Sequence, residues 1–146
     1  MSSPEPLQFK TASPDETIAL GRKLSDILPT SGPVLLIGNL GAGKTTLVKG
    51  IAEARNAASQ DDVSSPTFPL IHEYGTPPSV FHIDLYRLET AEEVLSLGID
   101  EFLDRPALTV IEWGERFPSL WPSDVLAIRI DILGEEARRF TIQAFR

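Results

Sequence analysis

Pro33-Val34-Leu35-Leu36-Ile37 is an unbroken apolar run of strand length, with no alternation of polar and apolar positions. Strands covered on both faces, as in a parallel sheet, have this character. Ala107 to Glu112 is a second such run and ends in a carboxylate. Ahead of the first run, Leu20, Leu24, Ile27 and Leu28 recur at helical spacing and form one apolar face. Ser13-Pro14-Asp15-Glu16 reads as the start of that helix, with Ser at the N-cap, Pro at the first position and Glu completing a capping box. Pro29 closes it, so a helix is predicted over 14–28.

The remaining pattern alternates strands and helices. Leu7 to Thr11 reads as a short strand, and Lys44 to Ala54 as a helix opened by a glycine-rich turn. Asn56 to Ser65 is polar and reads as a loop. Phe68 to Tyr74 and Val80 to Asp84 read as strands joined through Gly75-Thr76-Pro77-Pro78-Ser79, an antiparallel hairpin. Thr90 to Glu93 repeats the capping-box pattern, and Gly98 suits the C-terminus of that helix. Val125 to Leu133 and Ala137 to Phe145 read as strands around a turn at Gly134. Leu126, Ile128, Ile130 and Ile132 alternate, as do Phe140 and Ile142, which predicts one covered face and one wet face. The expected fold class is α/β, a single domain over 1–146 with one sheet, flanking helices and antiparallel additions.

Composition narrows the chemistry. The chain has no cysteine, which excludes a disulfide scaffold, a zinc-finger site and a thiol nucleophile together. No apolar run approaches the roughly 20 residues that span a bilayer, and MSSPEPLQFK lacks a signal pattern. The expectation is a soluble, cytoplasmic protein without membrane contact. The formal net charge is −8, and the only adjacent basic pair is Arg138–Arg139. Phosphate backbones are bound by clustered Lys and Arg, so independent nucleic-acid binding is not expected.

Gly38-Asn39-Leu40-Gly41-Ala42-Gly43-Lys44-Thr45 matches G-x-x-x-x-G-K-[ST] at every fixed position. The glycines let the backbone wrap closely enough for successive N–H groups to face phosphate oxygens. The following helix turns its positive end toward the same anion. Lys44 supplies a cation for the β- and γ-phosphates, and the Thr45 hydroxyl suits one place on Mg2+. In a plain glycine turn Lys44 would be a solvated surface charge; the buried strand before the turn and the helix after it favour the phosphate loop. Two strand-end carboxylates are candidates for the metal: Glu112, after the better strand, and Asp84, which could instead hold the attacking water. Both lie where ligands bind in open α/β sheets.

Gly38 to Thr46, Ser64-Ser65-Pro66-Thr67-Phe68, His82-Ile83-Asp84-Leu85-Tyr86-Arg87-Leu88 and Ile111-Glu112-Trp113, in this order and spacing, resemble the TsaE family (formerly YjeE). Its members are small P-loop ATPases required in bacteria for threonylcarbamoyladenosine at position 37 of certain tRNAs. The resemblance covers nearly the whole chain. It implies that Gly41, Ala42, Gly43, Lys44, Thr45 and Thr46 hold the phosphates of ATP, with Lys44 also serving catalysis. It further implies that Thr45 and Glu112 bind Mg2+, that Asp84 serves hydrolysis, and that Ser65-Pro66-Thr67 forms a switch-like loop. Arg138 matches an arginine that the family places at the nucleotide. Asn39 stands where an aspartate is usual, which removes a charge but no essential donor. The implied partners are a TsaB–TsaD pair, with tRNA engaged only through them.

Other residues carry plainer readings. Trp113 is read as core filling, His82 and His72 as packed or satisfied histidines, and Trp121 as a helix-end anchor. Arg87 is either a phosphate-facing arginine or half of a salt bridge. Against the ATPase subunit stand a small-molecule kinase using the same loop, and a module that binds nucleotide without hydrolysing it. Asn56 to Ser65 contains no arginine for a kinase lid, and Thr45, Asp84 and Glu112 together argue for hydrolysis.

Overall fold

The computed structural model describes residues 6–39, 42–55, 70–75 and 77–145. In chain order the elements are β1 (Leu7–Thr11), α1 (Pro14–Leu24), β2 (Gly32–Ile37), α2 (Lys44–Ala54), β3 (Ile71–Gly75), β4 (Pro78–Asp84), α3 (Ala91–Ser96), α4 (Ile99–Leu103), β5 (Leu108–Glu112), β6 (Leu126–Ile132) and β7 (Arg138–Ala144). Two 3₁₀ turns, Gly114–Arg116 and Pro118–Leu120, lie between β5 and β6. The strands form one seven-stranded sheet in the order β1-β7-β6-β2-β5-β4-β3. β6, β2, β5 and β4 are mutually parallel neighbours, while β1, β7 and β3 pair antiparallel at the flanks. The expected α/β sheet with antiparallel additions is the fold observed.

The two apolar runs lie at the centre because they have no face to give to water. All five residues of β5 are buried, as are the last four of β2. Alternate residues of β2 serve opposite faces. Val34 and Leu36 join Leu47, Val48, Ile51 and Val110 under α1 and α2. Leu35 and Ile37 join Ile83, Ile111, Phe117 and Trp121 on the other side. Each fully buried Leu or Ile contributes about 1.5–3 kcal/mol relative to exposure. α1 and α2 approach through Gly21 and Gly50, where an added Cβ would collide with the carbonyl oxygens of Leu47 and Ile18 respectively. α2 follows β2 in the chain, and Lys44 at its first position meets Glu112 at the carboxyl end of β5.

Several local expectations are corrected. α1 ends at Leu24, and the chain to Leu28 continues as turns, with Leu28 N–H donating to Leu24 O at 3.0 Å. Ser13 Oγ caps Glu16 N–H at 3.2 Å, but Glu16 Oε1 accepts from Ala12 N–H rather than from the cap residue itself. The box at Thr90–Glu93 is complete. Gly98, in the left-handed region at φ 80°, both ends α3 and starts α4, a helix the sequence pattern did not announce. The face of β6 expected to be wet is dry at Ala127, which packs with Phe117 and Val125. Conversely, Ile132 on the expected covered face is exposed. The polar loop over 56–65, the Ser64–Phe68 segment and the first residues of the expected strand from Phe68 lie outside the described residues. Among the described residues no helix is long and apolar enough to cross a membrane.

Candidate functional site

The turn between β2 and α2 is built for close approach. A Cβ on Gly38 would lie 3.1 Å from Ala42 Cβ and 3.3 Å from Ile130 Cβ, so a larger residue would push the turn off the sheet. Ala42 N–H donates to Asn39 O at 3.0 Å. Gly43 has φ 102°, a left-handed conformation that glycine adopts without steric cost, and stands at the N-cap of α2. No side chain caps this helix and its first turn holds no acid. Its leading N–H groups and positive end are therefore presented for an anion. Leu40 and Gly41 lie outside the described residues; Ala42 is buried, and Thr45 and Thr46 are half-buried on the first turn.

Lys44 is not a solvated charge. It is 8% exposed, its Nζ lies 3.2 Å from Glu112 Oε1, and it sits 5.1 Å over the Trp113 ring. The other oxygen of Glu112 is engaged by His82, with Nε2 2.5 Å from Oε2. His82 is fully buried. Burial pushes the Glu112 carboxyl upward, but His82 and Lys44 outweigh it and hold the group below the usual carboxylate range. Asp84 is the register partner of Glu112 on the adjacent parallel strand, half-buried, with Oδ1 accepting from Tyr86 N–H at 2.9 Å. Burial raises the Asp84 carboxyl above its ordinary value; the Tyr86 N–H opposes this and the Glu112 charge adds to it.

Arg138, at the start of β7, reaches back to the turn. Its Nε donates to Ala42 O at 3.0 Å, and one Nη donates to the carbonyls of Gly134, Glu135 and Ala137. It lines a cavity of about 230 Å³ with Pro14, Thr17, Gly43, Thr46, Glu135 and Glu136. On the opposite flank Arg116 donates to the carbonyls of Leu85, Tyr86 and Leu88 at 2.6–2.7 Å, pinning the segment after Asp84. The sequence reading did not single out Arg116, and nothing in its local pattern distinguishes it.

Lys44 and Glu112 thus meet at the carboxyl end of β5 beside Asp84, with Thr45 on the same helix turn as Lys44, while Arg138 meets the turn separately, at Ala42. Trp113 is half-buried and packs against the core beside Ile111 and Phe117, as read, but at φ 67° its ring also lies against Lys44, Arg116 and Tyr86. His82 is packed as expected, but Nε2 meets a site carboxylate and Nδ1 has no hydrogen-bond partner among the described residues. Arg87 is exposed and forms no ion pair among the described residues. His72 meets Tyr74 Oη at 3.2 Å, and Trp121 is buried with its N–H on Gly114 O.

No group of three or more acidic or histidine residues arranged to hold a metal occurs among the described residues. A divalent cation shared with a ligand's phosphates needs only one or two protein oxygen donors. Glu112, with a hydroxyl at Thr45, offers hard oxygen donors of this kind.

The family model for threonylcarbamoyl adenosine biosynthesis protein TsaE matches residues 11–140. The tRNA threonylcarbamoyladenosine biosynthesis protein TsaE of Bacillus subtilis is 38% identical over 141 residues, covering 94% of this chain and 85% of that protein. The protein of the same name from Treponema pallidum is 34% identical over 130 residues, covering 89% of this chain and 95% of its own length. The crystal structure of YdiB from Bacillus subtilis superposes with a TM-score of 0.75 at 29% identity, over 97% of this chain and 87% of the other. A phosphate-loop turn of this geometry, matched along nearly its full length by such relatives, makes the chain a member of the TsaE family of tRNA threonylcarbamoyladenosine biosynthesis proteins.

Proposed function

We propose that this chain binds Mg·ATP at Gly38 to Thr46 and hydrolyses it slowly, as the ATPase subunit of a TsaB–TsaD assembly that makes threonylcarbamoyladenosine on tRNA. The observation that carries this reading is the buried Lys44–Glu112 pair at the uncapped N-terminus of α2. A phosphate there competes with Glu112 for Lys44, which frees a carboxylate oxygen for Mg2+ as the cation turns to the β- and γ-phosphates. Thr45 supplies a second oxygen to the metal, and Ala42, Gly43 and Thr46 supply backbone N–H groups to phosphate. Bound Mg2+ neutralises charge developing on the phosphoryl oxygens.

Asp84 then holds the attacking water, a role that suits a carboxyl whose proton affinity is raised. Arg138 holds the Ala42 carbonyl and lines a cavity with Gly43 and Thr46, so it braces the loop that meets the nucleotide. An activating arginine is worth roughly 10³–10⁵ in rate for this chemistry. Arg138 is already committed to four carbonyls and Arg87 is exposed, so the isolated chain turns over slowly. The acidic chain leaves tRNA to its partners.

The test is phosphate release by the chain alone and with a TsaB–TsaD pair, without any small-molecule acceptor. The reading expects slow release alone and faster release in a complex whose formation depends on the nucleotide. Equal rates with no complex in ATP or ADP would replace it with an autonomous enzyme, and release only with an added acceptor would indicate a kinase.

A further inference from the structure

We infer that His82 is a positioning residue for the metal carboxylate: its Nε2–H holds Glu112 Oε2 so that Oε1 alone is presented to Lys44 and to Mg2+. This rests on the proposed role of Glu112. The geometry divides the carboxylate cleanly. One oxygen meets His82 and the other meets Lys44 at 3.2 Å. Lys44 sits on a flexible stem and can exchange Glu112 for phosphate. His82 lies in the interior of β4 at 0% exposure, flanked by Phe81 and Ile83, and cannot swing away. It is the fixed arm of the pair.

A purely structural role fits the site poorly. Nδ1 of His82 has no hydrogen-bond partner among the described residues, so Glu112 is the one polar group it engages there. Its register neighbours are Val110 on β5 and His72 on β3, and neither hydrogen-bonds its Nδ1. An imidazole with one ring nitrogen unpaired is therefore better explained by what it does to Glu112 than by packing. Groups hydrogen-bonded to a metal ligand set its orientation, and their loss typically lowers metal affinity about 10–100-fold.

The test compares His82→Gln, which places an amide N–H near the position of Nε2, with His82→Met, which has similar length and no donor. Mg2+ is titrated into each protein with a non-hydrolysable ATP analogue, and binding of the analogue without Mg2+ is measured beside it. His82→Met is expected to raise the Mg2+ midpoint about 10–100-fold while leaving metal-free binding of the analogue close to wild type; the urea midpoint is expected to fall, because the buried Glu112 loses a partner. His82→Gln is expected to stay close to the wild-type midpoint. A wild-type midpoint in His82→Met overturns the inference, as does an equal loss in both variants. If His82→Met does not fold, a tenfold shift in His82→Gln overturns it and a near-wild-type midpoint supports it. Wild-type protein that binds the analogue with no Mg2+ dependence would remove the proposed role of Glu112 itself, and that result is visible before any variant is made.

Discussion

Asp84 and Glu112 are register partners on adjacent parallel strands, two carboxylates side by side at the carboxyl edge of the sheet with opposite electrostatic fates. Glu112 is held ionised by His82 and Lys44, whereas Asp84, desolvated and next to that fixed charge, resists ionisation. Titratable pairs whose environments push them apart in this way take different roles, as proposed for the metal carboxylate Glu112 and the water-holding Asp84.

The division has a signed pH dependence. The Asp84 carboxyl is raised from its ordinary 3.8, so the stability it contributes is complete below that value and is lost as pH rises through its folded value. Asp84→Asn is therefore expected to be more stable than wild type at pH 7, with the difference vanishing toward pH 3. Glu112 runs the other way: its contribution is present above its ordinary 4.5 and is lost as pH falls through its lowered value. Glu112→Gln should be the less stable protein at pH 7. Urea melts across pH check both signs. Hydrolysis in Asp84→Asn should fall about 10²-fold or more with nucleotide affinity retained, whereas Glu112→Gln should lose the Mg2+ dependence of binding.

Arg138→Ala removes the guanidinium that ties Ala42 O to the Gly134–Ala137 turn. Hydrogen bonds to a charged group are worth about 1.5–3 kcal/mol, and the loop they brace should loosen. Nucleotide affinity is expected to fall about tenfold or more, with faster amide exchange at Ala42 to Thr46. Arg138→Lys should rescue little, because an ammonium cannot reproduce the planar fork. Calorimetry and hydrogen exchange on the three proteins decide it.

Gly50→Ala should destabilise the fold without touching the site. Its Cβ would strike the Ile18 carbonyl across the α1–α2 contact. Overpacking typically costs about 1–3 kcal/mol, and more where the obstacle is backbone. A urea midpoint equal to wild type would mean that the two helices separate easily.

Much of this architecture was legible in the chain. The strand–glycine–helix sequence from Pro33 to Ala54 carries its own local signals, and α2 spans the residues its pattern predicts, Lys44–Ala54. The two apolar runs identified the central strands because burial on both faces leaves no polar alternation to confuse. The links across elements were harder to see. Lys44, His82 and Glu112 are distant in sequence, and only the order β2-β5-β4 brings them together. The period-2 rule already places His82 and Asp84 on one face, which was the available signal that His82 belongs to the site. Trp113 packs against the core as read, but its further contact with Lys44, 5.1 Å from the ring centroid, joins residues far apart in sequence and leaves no trace in periodicity. The shortfall of α1 at Leu24 and the displaced Glu16 contact reflect the weak definition of helix ends.

The central claim is that the turn from Gly38 to Thr46 is a Mg·ATP site organised by Lys44. Calorimetric titration of Mg·ATP into wild type and Lys44→Ala tests it most directly. The account predicts saturable one-to-one binding by wild type and a severe loss in the variant, because the cation shared between Glu112 and the phosphates is gone. Unchanged affinity in Lys44→Ala would contradict it.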